Sequence, residues 1–275
     1  MGEGERKGLL YGVWSVQCGM KEVARGTAGN FQDGPKGVSG MKERESTKAA
    51  CCCAFLLSLA TAVAADTTEL KPSAFRMPTA NTKFENVTFV IFDTETTGFS
   101  PAKDRIVEIG AVKIRNGEVL GEKTWLLNPE RYIPYYVQNV HHITPEMVKD
   151  QPTFKEIYGE FLEFIDGCVL MAHNAPFDVR FMTAEILRND LPLPKNAVLD
   201  SLKLFKTWYP DLPAHTVTAL VDFYGLDTEG LQAHRATDDS IFVYKVIEQE
   251  MERRSECPRF KELLQSAGRV LHFEE

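Results

Sequence analysis

Apolar positions along the chain change their spacing several times, and each change marks an element. Residues 88–92 form a compact run of β-branched and aromatic side chains, residues 105–115 contain Ile106, Val107, Ile109, Val112 and Ile114, and residues 123–127 form a third short run. Turn residues punctuate them, notably Asn116-Gly117, so the pattern predicts three successive strands, the last two joined as a hairpin. From Thr153 the spacing changes to that of a helix, through Phe154, Ile157, Tyr158, Phe161, Leu162 and Ile165, and Gly167 stops it. Residues 168–172 then read as a buried strand, 177–187 as a helix, 197–204 as a segment that begins as a strand, and 216–224 as a helix ended by Gly225. A last helix spans about 236–251. Strands first, then helices alternating with strands, predict an α/β fold with a mixed sheet covered by helices.

Upstream of residue 85 the pattern is different. Residues 1–40 are rich in Gly, Lys, Glu and Ser with no sustained apolar period, and read as a disordered extension. Residues 41–65 have the layout of a cleavable export signal. Lys42, Arg44 and Lys48 precede an apolar run over 49–65, and Val63-Ala64-Ala65 stands before Asp66. An ordinary apolar helix is the competing reading, since Glu43 and Glu45 dilute the charge and the run is short for a membrane span. Translation from Met41 implies export and no stable membrane span once the signal is removed; a start at Met77 implies a cytoplasmic protein. Residues 66–84 read as a linker, 85–252 as the folded domain and 253–275 as a C-terminal tail.

The chain's 31 basic and 39 acidic side chains are unevenly placed: residues 1–50 carry a small positive excess, leaving a net −10 on residues 51–275. An acidic body of this kind argues against broad coating of nucleic acid through Lys and Arg contacts to phosphates. It is compatible with holding one strand end through bound cations. The six cysteines, three of them in the run 51–53, give no disulfide framework.

Three segments carry candidate chemistry. The first strand leads into Asp93-Thr94-Glu95-Thr96-Thr97-Gly98, where strand alternation projects Asp93 and Glu95 from one face. Such paired carboxylates suit a hard cation, Mg²⁺ or Mn²⁺, although a lone D-x-E pair in so acidic a chain is commonly a solvated surface pair. His173-Asn174-Ala175-Pro176-Phe177-Asp178 follows the next buried strand. There Asn174 is expected to cap the helix with Pro176 in its first turn, and Asp178 serves either the helix dipole or a site. His234-Arg235-Ala236-Thr237-Asp238-Asp239 opens the last helix, either as a capping sequence or as a His and an Asp flanking one activated water. Asp238 is expected to be solvated.

Taken together, in this order and at these spacings, the three segments resemble the DnaQ-like 3′-to-5′ exonucleases of the DEDDh group, over roughly residues 86–250. Val140-His141-His142-Ile143-Thr144 is similar to that family's V-H-G-I-T segment, with His142 in place of Gly, and Leu199-Asp200-Ser201-Leu202 to its L-D-T-L strand. The resemblance implies a ribonuclease H-like fold and four acidic metal ligands, Asp93, Glu95, Asp178 and Asp239. It also implies two divalent cations, and His234 as general base five residues before the last acid. The related group with a tyrosine base carries it where this chain has Arg235. Asp93 would bridge both cations, with Glu95 and Asp239 on one and Asp178 on the other. Thr96, Thr97, Phe99, Ile143 and Asn174 fall where the family meets the terminal nucleotide. The implied substrate is a nucleic-acid 3′ end, single-stranded or frayed DNA, with RNA trimming as the alternative and a catalytically silent binding module as a third reading. A polymerase partner follows from family analogy alone.

Overall fold

The protein is described here by a computed structural model covering residues 75–254 and 256–274; the expected extension and export signal lie outside these residues. β1 (Phe89–Thr96), β2 (Ile106–Arg115) and β3 (Glu118–Leu126) form the antiparallel meander, and β4 (Val169–Ala172) and β5 (Val198–Asp200) extend it in parallel. The strand order is β3-β2-β1-β4-β5, with β1 at the centre. The β2–β3 turn places Asn116 and Gly117 at φ of 53° and 75°, the twist that a two-residue hairpin loop requires.

Alternation along β1 divides its side chains between two cores. Val90 and Phe92 pack under α3 (Phe154–Ile165) and α4 (Pro176–Arg188), joined by Phe161, Ile165, Phe181 and Met182. Phe89 and Ile91 face the other way, into a core shared with α5 (Ser201–Trp208), α6 (Val217–Tyr224), α7 (Ala236–Arg253) and α8 (Phe260–Ala267). Two short helices, α1 (Tyr135–His141) and α2 (Pro145–Val148), cover a smaller cluster of Val107, Ile133, Val137, Ile143 and Val148. α3 starts on the capping box formed by Thr153 and Glu156, and buries six apolar side chains along one stripe. Burying each contributes roughly 1.5–3 kcal/mol, which fixes this helix on the sheet.

Several elements differ from the sequence expectation. β1 runs past the apolar run 88–92 and through the D-x-E motif, as the alternation of Asp93 and Glu95 requires, because both remain paired, to Gly110 and Glu108 of β2. β3 begins at Glu118 rather than 123, since it is an edge strand whose early residues are exposed and leave no apolar pattern. The segment from 197 breaks after three strand residues, where Asp200 Oδ1 accepts from the Leu202 amide and caps α5. Asn174 does not cap α4: Ala175 occupies the cap position, while Asn174 adopts a left-handed backbone at φ 65° and its carbonyl accepts from Phe177 N–H. Residues 253–275, set apart as a tail, include α8, whose Phe260 and Leu263 are buried, and Leu271, which pairs with Val198. Among the described residues no helix is long and apolar enough to cross a membrane.

Candidate active site

The end of β1 brings the sequence-predicted acids together. Asp93, Glu95 and Asp239 each present a carboxylate oxygen, all within 4.8 Å of one another. Asp93 and Glu95 come from the β1 face that packs on α7, and Asp239 from the first turn of α7. Asp178, in the first turn of α4, reaches the same place from the opposite side of the sheet. It is 2% exposed and its Oδ1 accepts a 2.7 Å hydrogen bond from Thr94.

The electrostatics show four acids in need of positive charge. Burial, followed by Asp178, Glu95, Asp239 and Glu108, pushes the Asp93 carboxyl well above its ordinary range. Glu95 is raised first by burial and then by Asp239, Glu108 and Asp178, with Arg235 acting against them. Burial lifts both Asp178 and Asp239 to about 7, even though Thr94 stabilises the first anion and the His234 amide the second. Like charges at such separations cannot all ionise unless a cation joins them. An oxygen-only donor set suits a hard divalent ion, so these residues fit the metal site that the family implies.

His234 stands beside the acids, exposed, with a left-handed backbone at φ 64° and its amide donating to Asp239 Oδ2 at 3.2 Å. Partial desolvation of its ring, and then His142, hold its imidazole below the ordinary 6.5, so it is neutral at neutral pH. Two buried histidines stay neutral to about pH 4 because burial disfavours their charged form: His141, and His173, whose Nδ1 is 3.1 Å from Ser201 Oγ. Asp238 is half-buried and accepts from the Gln232 amide, so it is tied to the loop before α7 instead of standing free in solvent.

The expected nucleotide contacts fare unevenly. Ile143 is fully buried among Val107, Ile133, Val137 and Val148 and has no surface to offer a ligand. Thr97 donates its amide to Arg105 O and accepts from the Arg105 amide through its hydroxyl, while Thr96 Oγ1 donates to Gly98 O. Both threonines therefore shape the turn, and the Thr97 N–H is not free for substrate. A Cβ on Gly98 would overlap the Asp104 carboxylate, so the close approach that selects glycine here comes from within the loop. Phe99 is 76% exposed, and Asn174, two residues ahead of α4, is exposed as well.

A set of residues that sequence reasoning passed over fastens the His-Asp turn. Glu108 is fully buried opposite Glu95; it accepts from Arg235 Nη2 at 2.6 Å, from Arg235 Nε at 3.2 Å and from the Ala236 amide at 3.0 Å. Two residues on, Gly110 lies so close to α7 that a Cβ there would collide with the Ala236 and Thr237 backbone. A lone Glu inside an apolar strand, followed at i+2 by Gly, was the available signal: one buried charge seeking a partner and one face with no room for a side chain.

Comparison with known proteins agrees with this geometry. Residues 90–247 match the exonuclease family described as RNase_T. The chain is 41% identical over 159 residues to the DNA polymerase III subunit epsilon of Treponema pallidum, covering 73% of that protein and 57% of this one. It is 38% identical over 171 residues to the PolC-type DNA polymerase III of Clostridium perfringens, covering 60% of this chain but spanning only 12% of that much longer protein. Among solved structures, exonuclease X in complex with 5′ overhanging duplex DNA aligns at a TM-score of 0.51 and 25% identity, over 64% of this chain and 98% of the other. The nuclease domain of 3′hExo, a DEDDh family member bound to rAMP, shares the fold at a TM-score of 0.55 and 17% identity, over 63% and 96% of the two chains. With its ribonuclease H-like sheet and its assembled acids, the chain belongs to the exonuclease family and is similar to the DnaQ-like members of it.

Proposed function

We propose that this chain is a divalent-metal-dependent 3′-to-5′ exonuclease that releases nucleoside 5′-monophosphates from DNA ends, with residues 85–252 as its catalytic unit. The observation that carries this reading is the convergence of Asp93, Glu95 and Asp239 within 4.8 Å, with Asp178 contributing the largest single charge repulsion on Asp93. Two cations, Mg²⁺ or Mn²⁺, held by Asp93, Glu95, Asp178 and Asp239, would supply activation of a water and stabilisation of the departing 3′ oxygen.

The chain's own residues do the rest. His234, neutral because its ring sits below its ordinary pKa, takes the proton of the attacking water as the new P–O bond forms and the P–O3′ bond breaks. Asp239 holds the His234 backbone, and the Glu108–Arg235 pair holds the turn, so base and acids keep one geometry. A DNA end is favoured over RNA because the relatives of 38–41% identity are DNA polymerase III proteins. Association with a polymerase is proposed on the same ground. For the compartment, export after translation from Met41 is the reading favoured by the signal-like pattern of residues 41–65; N-terminal sequencing that finds a mature start near Asp66 would support it.

The test is nucleotide release from 3′-labelled single-stranded DNA and RNA, with and without EDTA. Release of labelled mononucleotide from DNA in Mg²⁺, faster than from RNA and stopped by EDTA, is the expected result. Release that ignores EDTA, or that begins at the 5′ end, would overturn the reading.

A further inference from the structure

A cavity of about 310 Å³ lies at the other end of β1 from the acids, between the 3₁₀ turn Phe84–Asn86, the β2–β3 hairpin and the C-terminal half of α7. The buried side chains of Phe84, Phe89, Ile114 and Ile247 line it, the first two with rings stacked at 5.0 Å between centroids, and Met251 and Cys257 line it half-buried. Its frame is fastened on two sides. Tyr244 Oη donates to Gly117 O at 2.7 Å and ties α7 to the hairpin, and the Phe84 amide donates to Pro258 O at 2.9 Å and ties the turn to the segment beyond α7. A cavity framed in this way needs little ordering to receive an occupant.

Its rim is acidic. On α7, Tyr244, Ile247, Glu248, Met251 and Glu252 follow the i, i+3, i+4, i+7, i+8 spacing of one helix face, which sets two carboxylates beside the apolar side chains of the cavity. Glu85 adds a third, paired with Lys83 at 3.3 Å. Glu248 accepts from Tyr244 and Glu252 from Gln249, and neither has a cationic partner among the described residues. Arg115 is the one cation among the described lining residues. An apolar interior under unpaired carboxylates selects an occupant that carries apolar bulk with positive charge next to it.

We infer that this cavity docks a segment of a partner protein in which one or two bulky apolar side chains are flanked by Lys or Arg. The apolar side chains enter the cavity and the cationic ones meet Glu248 and Glu252. Its volume stands at the lower limit of pockets for free small ligands, about 300–1,000 Å³, and suits side chains presented on a polypeptide. Phe89 opens β1, and Asp93 and Glu95 lie four and six positions along it, roughly 13 and 20 Å at about 3.3 Å per residue. A partner seated here therefore holds the protein while leaving the acids uncovered, and the inference stands apart from the exonuclease reading.

The experiment titrates the full chain into three fluorescein-labelled peptides, KKFLKK, KKAAKK and EEFLEE, and reads anisotropy. KKFLKK is expected to bind roughly ten- to a hundredfold more tightly than KKAAKK, the worth of a buried apolar side chain, and a few-fold more tightly than EEFLEE, the worth of exposed charge pairs. Two variants separate the contributions, and their melting temperatures check folding. Glu248→Lys/Glu252→Lys, in which Tyr244 keeps the Gly117 carbonyl as acceptor, should reverse the order of KKFLKK and EEFLEE. Met251→Trp, which narrows the cavity without changing its charge, should bring KKFLKK down to the level of KKAAKK. Equal binding of KKFLKK and KKAAKK, no detectable binding of KKFLKK, or affinities unchanged in both variants would overturn the docking site. A wild-type dimer in sedimentation that Met251→Trp dissociates would overturn it as well, by giving the cavity to a second copy of this chain.

Discussion

Asp178→Asn is expected to make the metal-free protein more stable while abolishing its metal-dependent activity. The carboxyl is 2% exposed and is lifted from 3.8 to about 7, chiefly by burial, with Asp200 adding to the repulsion. At about 1.4 kcal/mol per decade of proton affinity, its ionised form costs the folded state up to roughly 4 kcal/mol at pH 8. The direction follows from linkage. The folded pKa lies above the unfolded one, so the folded state holds the extra proton between about 4 and 7, and stability falls as pH rises through that window. Asparagine keeps an oxygen to accept from Thr94 and removes the charge. Thermal melts in EDTA should show the variant ahead by up to about 8–16 °C at pH 8, on a scale of about 2–4 °C per kcal/mol for a domain of this size. At pH 4, where the native carboxyl is already protonated, the advantage should shrink to near zero. An equal gain at both pH values, or none at pH 8, would refute the idea that this buried charge awaits a cation.

Other substitutions test the rest of the site. His234→Ala should lower kcat about a hundredfold or more, and the acidic limb of the wild-type rate profile should fall below pH 6.5, where the ordinary imidazole would titrate; a wild-type rate that stays flat through that region would assign the proton to another group. Gly110→Ala should force α7 away from β2, costing about 1–3 kcal/mol in a denaturant titration and most of the activity. Arg235→Met leaves Glu108 buried without its partner and should cost about 3–5 kcal/mol, part of it recovered in the double variant with Glu108→Gln, as a double-mutant cycle would read. The Mg²⁺ concentration for half-maximal rate should climb steeply below pH 7, because Asp178 and Asp239 must each release a proton before they can bind a cation.

The acids were legible because Asp93, Glu95 and Asp178 sit where an apolar strand gives way to a turn or a helix, and Asp239 where a loop opens a long helix, and such boundaries are what a hydrophobic pattern marks best. The strand that carries Asp93 and Glu95 proved longer than its apolar run because backbone pairing to β2 continues under polar side chains. α1 and α2 left no readable period, being too short to repeat one, and most of α1's side chains face solvent. Asn174 was misread because a left-handed residue before a proline-led helix looks, in sequence, like an N-cap. Ile143 fell in a motif associated with nucleotide contact, yet its burial comes from four residues spread over residues 107–148. His142 occupies a position at φ 59° and ψ 16° that caps α1, a conformation that explains a glycine in the family's segment and is adopted here at some strain by a larger residue. Glu108 and Gly110 were hidden because their meaning lies across the sheet, in a turn more than 120 residues further along.

The pairing of Leu271 with Val198 gives the sheet's two margins different protection. β3 at one margin is interrupted by an irregularity in its register with β2 and studded with Glu118, Glu122 and Lys123. β5 at the other is three residues long and wholly buried, and it is closed by two 2.9 Å hydrogen bonds exchanged between Val198 and Leu271. Shortening the polypeptide ahead of Leu271 would uncover an apolar border whose amide and carbonyl groups lack partners, which is the template on which separate molecules add strands to one another. The segment around Leu271 thus covers that border, and its loss should be felt in solubility before it is felt at the acids.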